Sequence, residues 1–261
     1  MSKKTFIPTI GLEIHAELKT ASKMFCRCKN DPNEAKPNIN ICPICLGHPG
    51  TLPVLNHEAI RHVIMVGRAI GGTIADYTEW DRKNYFYPDI PKGYQISQYK
   101  YPLVSGGMIS VQIQGQTSAN TRSDLCKYKV GPCTDIAITR LHLEEDTASS
   151  IHDAHDTHSL VDFNRSGVPL LELVTEPVIH SAGEAAAFAK ELQLLLRTLG
   201  VAEANMEKGE MRVEANVSVA EVESTESKVG SKDKEDSGLG AHDFRLKKLG
   251  TKTEVKNLNS F

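Results

Sequence analysis

Residues 5–18, TFIPTIGLEIHAEL, give the first indication of the fold, because apolar and polar residues alternate along them after Pro8. The apolar positions are Ile10, Leu12 and Ile14, and the polar positions between and after them are Glu13, His15 and Glu17. A period of two residues is typical of a β-strand with one face in the core. The sequence therefore predicts a half-buried strand whose other face carries two carboxylates and an imidazole.

The remaining periodic segments predict more strands and two helices. The strands lie at 108–114, 135–145, 160–164, 169–174 and 211–219, and a last one lies within TKTEVKNLN (251–259). In the strand at 211–219 we expect five side chains to face the core: Met211, Val213, Ala215, Val217 and Val219. One helix, 57–70, follows the cap residue Asn56, and the other, 181–199, begins with a capping box of Ser181 and Glu184. Many strands with two helices predict an α+β fold with a largely antiparallel sheet and flanking helices.

Two segments lack a clear period. DRKNYFYPDIPKGYQISQY (81–99) is aromatic, rich in proline and polar, which predicts a long surface loop with a functional role. Residues 221–243 are dominated by charge, serine and glycine, which predicts a flexible loop.

The composition is that of a soluble globular protein. The chain has 261 residues, 40% of them apolar and 24% charged, and a formal charge of −3. This slightly negative net charge lacks the overall positive charge that is typical of nucleic-acid-binding proteins, and it disfavours a simple RNA-binding module. We find no signal-peptide core and no run of 18 apolar residues, so we expect a cytoplasmic protein with reduced thiols and no membrane span.

Four of the six cysteines lie in FCRCKNDPNEAKPNINICPICLG (25–47), as a C-x-C pair and a C-x-x-C pair joined by a polar loop. Two such pairs can surround a tetrahedral Zn²⁺, and we predict a structural zinc site formed by Cys26, Cys28, Cys42 and Cys45. The alternative is four reduced cysteines without a metal. We interpret Cys126 and Cys133 as ordinary thiols on a hairpin, with a pairing between them as the minor alternative.

The polar faces of the predicted strands are unusually rich in carboxylates. Side chains two apart on a strand share a face, so neighbouring strands would gather these groups into one acidic bowl. Its candidate members are Glu13, His15, Glu144, Glu145, Asp146, Glu172, Arg212, Glu214, Asn216, Glu254 and Lys256. Packed carboxylates repel unless cations neutralise them, and Mg²⁺ with nucleotide phosphates suits such a site.

Each of these residues taken alone more often meets solvent, with Glu172 in the apolar LLELV segment as the exception. Similarly, His152, His155 and His158 are more typical of a solvated turn than of a metal site. The sequence has no P-loop, no dinucleotide fingerprint and no nucleophile elbow.

A set of longer motifs resembles one family. IGLEIHAEL, CPICLGHPGTLPVLN, DRKNYFYPDIPKGYQISQY, HLEED, DFNRSGVPLLELVTEP, MRVEANVSV and TEVKNLNSF occur in this order. Together they closely resemble the GatB family of tRNA-dependent amidotransferase components. The resemblance implies a cradle domain akin to the catalytic fold of glutamine synthetase and guanido kinases.

The resemblance also implies a reaction. ATP would phosphorylate the side-chain carboxylate of Glu-tRNA(Gln) or Asp-tRNA(Asn), and ammonia from the glutaminase GatA would displace the phosphate, within a heterotrimer that includes GatC. By motif position, the catalytic residues would be Glu13, His15, Glu145 and Glu172. Asn257 would join Glu254 and Lys256 beside ATP and Mg²⁺. The segment 81–99 would border the path of ammonia or of the tRNA 3′ end.

The resemblance implies a single cradle domain over 1–261, with a zinc-binding loop at 22–50 and a flexible insertion at 221–248. The family continues into a helical region and a tail domain, so we expect this chain to be a fragment that lacks both. The alternative function is a non-catalytic, zinc-stabilised scaffold that docks the glutaminase and the tRNA acceptor arm.

Overall fold

The computed structural model describes residues 5–112, 133–152, 157–223, 245–246, 249–258 and 260. Their elements, in chain order, are β1 (Thr5–Glu17), α1 (His57–Ala69), β2 (Thr73–Ile74), β3 (Asp81–Asn84), β4 (Tyr94–Ser97), β5 (Val104–Ser105), β6 (Met108–Gln112), β7 (Cys133–Glu145), β8 (Ser149–His152), β9 (Ser159–Asp162), β10 (Pro169–Thr175), α2 (Ala182–Thr198), β11 (Met211–Glu223), β12 (Arg245–Leu246) and β13 (Thr253–Leu258).

The main sheet is antiparallel throughout the described residues, in the order β12-β11-β1-β10-β7-β5-β2. Two further strands extend it: β13 pairs with β11, and β6 pairs with β7. The hairpins β3–β4 and β8–β9 form separate two-stranded sheets. Antiparallel sheets commonly cover one face and leave the other open. The predicted α+β class with a largely antiparallel sheet is confirmed.

The helices cover the apolar face of the sheet. Helix α1 packs against β7, and α2 packs against β1 and β6. In one row across the sheet, Val213, Ile14, Leu173 and Leu141 lie side by side, and all four are buried. Burying a side chain of this size contributes about 1.5–3 kcal/mol. The alternation of the strands therefore leaves their polar side chains on the opposite face.

Both helices begin where the sequence predicts. The side chain of Asn56 accepts a hydrogen bond of 2.9 Å from the backbone N–H of Glu58. Ser181 Oγ accepts one of 3.1 Å from the backbone N–H of Glu184. The Glu184 carboxylate reaches one residue further back than in a regular capping box, because it accepts from the backbone N–H of His180 at 2.7 Å.

Three predictions about the secondary structure and the core need correction. Residues 81–99 are not one long loop, because β3 and β4 pair as a hairpin and the proline-rich part lies between them. Strand β11 continues to Glu223, into the predicted loop, because its end pairs with the start of β1. Val219, which was predicted to lie in the core, is 46% exposed.

A short strand lies in the rest of the predicted insertion. Arg245 and Leu246 form β12 beside the end of β11. Residues 224–244 and 247–248 lie outside the described residues, as does Cys126. Cys133 is buried at the start of β7.

A candidate site on the polar face of the central strands

The strand register brings the polar side chains together in a row. Arg212 on β11 lies opposite His15 on β1, His15 lies opposite Glu172 on β10, and Glu172 lies opposite His142 on β7. This row is next to the apolar row described above, and the two face opposite sides of the sheet. Four strands that are far apart in sequence thus contribute to one surface.

Glu172 is at the centre of a group of imidazoles and carboxylates. Its Oε2 lies 3.2 Å from His142 Nε2 and 3.4 Å from His15 Nε2. His15 Nε2 is also 3.5 Å from Glu144 Oε1 and 3.7 Å from Glu13 Oε1. We call Glu13, His15, His142, Glu144 and Glu172 the carboxylate–histidine cluster.

Burial and neighbouring charge oppose each other in this cluster. Burial alone would raise the pKa of Glu172, but hydrogen bonds from His142 and His15 hold that pKa well below its usual range. Burial would lower the pKa of His15, but its hydrogen bond with Glu172 and the charge of Glu144 raise it. The pKa of Glu13 is raised, first by burial and then by the charge of Glu172. Hydrogen bonds from the two imidazoles therefore favour the ionised form of Glu172.

Cationic side chains surround the cluster. Lys83 Nζ on the β3–β4 hairpin lies 3.7 Å from Glu144 Oε2, and an Arg140 terminal nitrogen lies 3.7 Å from Glu172 Oε1. On the other side, Arg212 donates to Asp146 Oδ2 at 2.9 Å. Next to Asp146, burial and the Asp146 charge raise the pKa of Glu17 to about 8.

Two cavities open over this face, with Glu13 and Lys83 in the walls of both. The first, of about 550 Å³, includes Arg140, His142 and Glu172 in its wall. The second, of about 460 Å³, is bordered by the opposite end of the cluster and by further charged groups: Asp146, Arg165, Arg212, Glu214 and Lys256. Together they provide space for a charged ligand on both sides of the cluster.

The donor set fits a divalent cation. Within the described residues, Glu13, His15 and Glu172 form one set of ligand atoms within 4.8 Å of one another, and His142, Glu144 and Glu172 form a second. Glu144 Oε2 is buried and has no hydrogen-bond partner among the described residues. Carboxylate oxygens are the ligands that Mg²⁺ prefers. A cation held here would satisfy that oxygen and offset three adjacent carboxylates.

The cysteine loop forms a second cluster. Cys45 Sγ lies 3.6 Å from Cys26 Sγ, 3.7 Å from Cys42 Sγ and 3.8 Å from Cys28 Sγ. These separations exceed a disulfide bond of about 2.05 Å. They match the edge of about 3.8 Å expected for a tetrahedron with metal–sulfur bonds of about 2.3 Å. The four cysteines could therefore hold a metal ion.

A fully buried lysine lies beside this sulfur cluster. Lys23 Nζ donates to the carbonyl oxygen of Asn40 at 2.7 Å, to that of Phe163 at 3.2 Å, and to Cys45 Sγ at 3.6 Å. The hydrogen bond from Cys26 and the charge of Lys23 lower the pKa of Cys45 to about 5, against the effect of burial. A buried ammonium group and a thiolate therefore compensate each other.

The family model for the GatB/GatE catalytic domain matches residues 8–261. This chain belongs to that family. It is 43% identical to the B subunit of the aspartyl/glutamyl-tRNA(Asn/Gln) amidotransferase of Synechocystis sp. over 265 residues, 99% of this chain and 47% of the relative. It is 46% identical to the protein of the same name from Thermodesulfovibrio yellowstonii over 252 residues, 97% of this chain and 45% of the relative. The chain thus spans about half the length of these curated relatives.

Most of the residues that the GatB resemblance implied lie around one site. Glu13, His15, Glu144 and Glu172 are in the cluster, and Asp146 and Arg212 form an ion pair at its edge. Three further residues border the second cavity: Glu214, Lys256 and Asn257. The spatial convergence of these groups is a property of the sheet.

Three predicted site residues lie elsewhere. Glu145 follows Glu144 on β7 and points to the opposite side, where it pairs with Lys92 and accepts from the backbone N–H of Ile96 at 2.8 Å. Glu254 on β13 is exposed and lies beside Lys256. Asn216 on β11 lies opposite Glu254. Of these three, none borders the two cavities over the described face. Consecutive residues on a strand alternate in direction, so Glu144 and Glu145 cannot both enter the cluster.

The sequence reasoning missed several cluster neighbours. His142 is two residues before Glu144 and shares its face, so the alternation of β7 could have revealed it. Lys83 was assigned to a loop, and only the hairpin geometry brings it to Glu144. Arg165 is in a turn before β10, and no local pattern pointed to it.

His152, at the end of β8, and His158 are exposed, and His155 lies outside the described residues. Neither helix in the described part of the chain is both long and apolar enough to cross a bilayer.

Proposed function

We propose that this chain is the catalytic domain of an ATP-dependent tRNA amidotransferase. It would activate the side-chain carboxylate of Glu-tRNA(Gln) or Asp-tRNA(Asn) by phosphorylation, and ammonia would then form the amide. The observation that supports this most directly is the carboxylate–histidine cluster, whose charges converge beneath two cavities with cationic walls. A surface that only docked a partner would gain nothing from adjacent buried carboxylates.

The chemistry requires two anions to approach each other. In the first step an oxygen of the aminoacyl carboxylate attacks the γ-phosphorus of ATP, and the bond to ADP breaks. Cations in the walls, Lys83, Arg212 and Lys256, would bind phosphate oxygens and reduce the repulsion. Mg²⁺ held by Glu13, His15, Glu144 and Glu172, when bound with ATP, would screen the phosphate charge.

The second step consumes ammonia. Its nitrogen attacks the carbonyl carbon of the acyl phosphate, inorganic phosphate leaves with the bonding electrons, and a proton is released. We propose that the ammonia comes from the glutaminase GatA, with GatC as the third member of a cytoplasmic heterotrimer. The relatives are each named as one component of an amidotransferase, which supports a complex of several chains. The β3–β4 hairpin, which contributes Arg82 and Lys83 to the first cavity, would border the path of ammonia or of the tRNA 3′ end.

We propose that the cysteine loop holds a structural Zn²⁺ through Cys26, Cys28, Cys42 and Cys45. The sulfur separations and the adjacent Lys23 ammonium support this, since four thiolates on Zn²⁺ carry excess negative charge.

The test is Glu172→Gln in the complex with GatA and GatC, assayed on both misacylated tRNAs. We expect amide formation to fall by roughly 10²–10³-fold, in the range for loss of one preorganised charge-stabilising group, while glutaminase activity persists. The exposed Glu207→Gln is the matched control and should leave both activities intact. Unchanged amide formation in Glu172→Gln, with no heat protection by ATP and Mg²⁺, would favour the scaffold alternative.

A further inference from the structure

One cationic side chain in the second cavity differs from the others in its partners. Four line this cavity in the described residues: Lys83, Arg165, Arg212 and Lys256. Arg212 donates to Asp146 at 2.9 Å and Lys256 to Glu214 at 3.2 Å. Lys83 Nζ lies 3.7 Å from Glu144 Oε2. Of the four, Arg165 is the one that donates to two neutral acceptors, the carbonyl oxygens of Thr147 and Ala148, both at 2.9 Å.

The charge of Arg165 is therefore incompletely neutralised. Its nearest carboxylate oxygen is Asp146 Oδ2, 3.8 Å from Nε, and Arg212 already occupies that oxygen. Two guanidinium groups thus share the Asp146 carboxylate. The side chain of Arg165 is 26% exposed, and its bonds to Thr147 and Ala148 use two of the five N–H groups of a guanidinium.

The backbone around Arg165 is held firmly. The buried Asn164 side chain accepts from the backbone N–H groups of Ile39 and Asn40, both at 2.9 Å, and donates to the carbonyl oxygen of Lys36 at 2.8 Å. Ser166 Oγ donates to the carbonyl oxygen of Cys45 at 3.1 Å. The residues on both sides of Arg165 are thus bound to the cysteine loop.

We propose that Arg165 binds the γ-phosphate of ATP, and that the cysteine loop positions it through Asn164 and Ser166. A guanidinium fixed by two carbonyl groups presents its remaining N–H groups in a preset direction, which suits the paired oxygens of a phosphate. The proposal rests on the proposed function, because it assumes that ATP occupies the cavity. It also assigns a role in the catalytic site to a loop whose sulfur cluster is otherwise only structural.

The experiment compares the binding of two nucleotides in the presence of Mg²⁺: ADP and the non-hydrolysable β,γ-imido analogue of ATP. We expect Arg165→Gln to weaken the binding of the triphosphate analogue by roughly 10- to 100-fold, the range for lost hydrogen bonds to a charged group. The binding of ADP should weaken by less than 2-fold. Arg165→Lys keeps the charge without the planar fork and should weaken the analogue by an intermediate factor. The control Arg61→Gln alters an exposed arginine on α1 and should change neither affinity.

Each outcome is decisive. If Arg165→Gln weakens the binding of both nucleotides equally, or weakens neither, the proposal is overturned. The proposed function still stands in that case, provided that the wild-type protein binds the nucleotides. If the wild-type protein binds neither nucleotide, both fail together. If Arg165→Gln does not fold, as judged by circular dichroism, Arg165→Lys decides: an unchanged ratio of the two affinities overturns the proposal.

Discussion

The carboxylate–histidine cluster and the cysteine cluster both gather potential metal ligands, but they do so in different ways. The four cysteines lie within 26–45, in one loop. The five members of the first cluster come from three strands, β1, β7 and β10, between residues 13 and 172. The cysteine cluster is a product of local spacing, whereas the other depends on the register of the whole sheet.

The two clusters also differ in how the protein balances their charge. In the carboxylate–histidine cluster, imidazoles separate the carboxylates, and Lys83 and Arg140 lie at its edge. Of the described cationic groups, Lys23 is the one hydrogen-bonded to a cluster sulfur. We infer that the sheet keeps its arrangement without a bound ion, and that the cysteine loop depends on one.

The largest expected effect is that of metal removal. A strong chelator should open the 22–50 loop and leave β1 and β10 protected in hydrogen exchange. We expect the local opening free energy to fall by roughly 5 kcal/mol or more, because structural zinc contributes about 10–16 kcal/mol in small domains. Equal protection of the loop with and without chelator would contradict the dependence on an ion.

The next effect concerns Lys23. Lys23→Met should lower the free energy of unfolding by about 3–5 kcal/mol, because it leaves buried sulfur charge without its cationic partner. Chemical denaturation measures the change. The control is Lys29→Met in the same loop, an exposed residue whose pairing with Asp31 contributes little, so the free energy of unfolding should be nearly unchanged. Similar values for the two variants would show that burial of Lys23 carries no electrostatic role.

The smallest effect has the opposite sign. The pKa of Glu13 is raised by burial and by Glu172, so its ionised form is disfavoured in the folded state near neutral pH. Removing the charge with Glu13→Gln should therefore raise the free energy of unfolding slightly when no divalent cation is present. The gain should disappear below the ordinary pKa of a glutamate, where the wild-type group is protonated in both states. A destabilised Glu13→Gln variant in thermal unfolding would contradict this account.

The local features of this protein follow from residues that are close together in the sequence. The alternation in β1 fixed which side chains face the core, and Asn56 and Ser181 fixed where the helices begin. The spacing of the four cysteines already indicated one cluster. These features depend on residues that are neighbours along the chain, so their geometry follows from the backbone alone.

Tertiary structure decided which of the polar groups meet. The register of β10 with β7 brought His142 to Glu172, and the β3–β4 hairpin brought Lys83 to Glu144. The face that each member of the Glu144–Glu145 pair occupies also became clear only once β7 was paired. The burial of Lys23 against Phe163 depends on a contact between residues 140 positions apart. Such contacts depend on the topology of the whole sheet, which no local pattern of residues encodes.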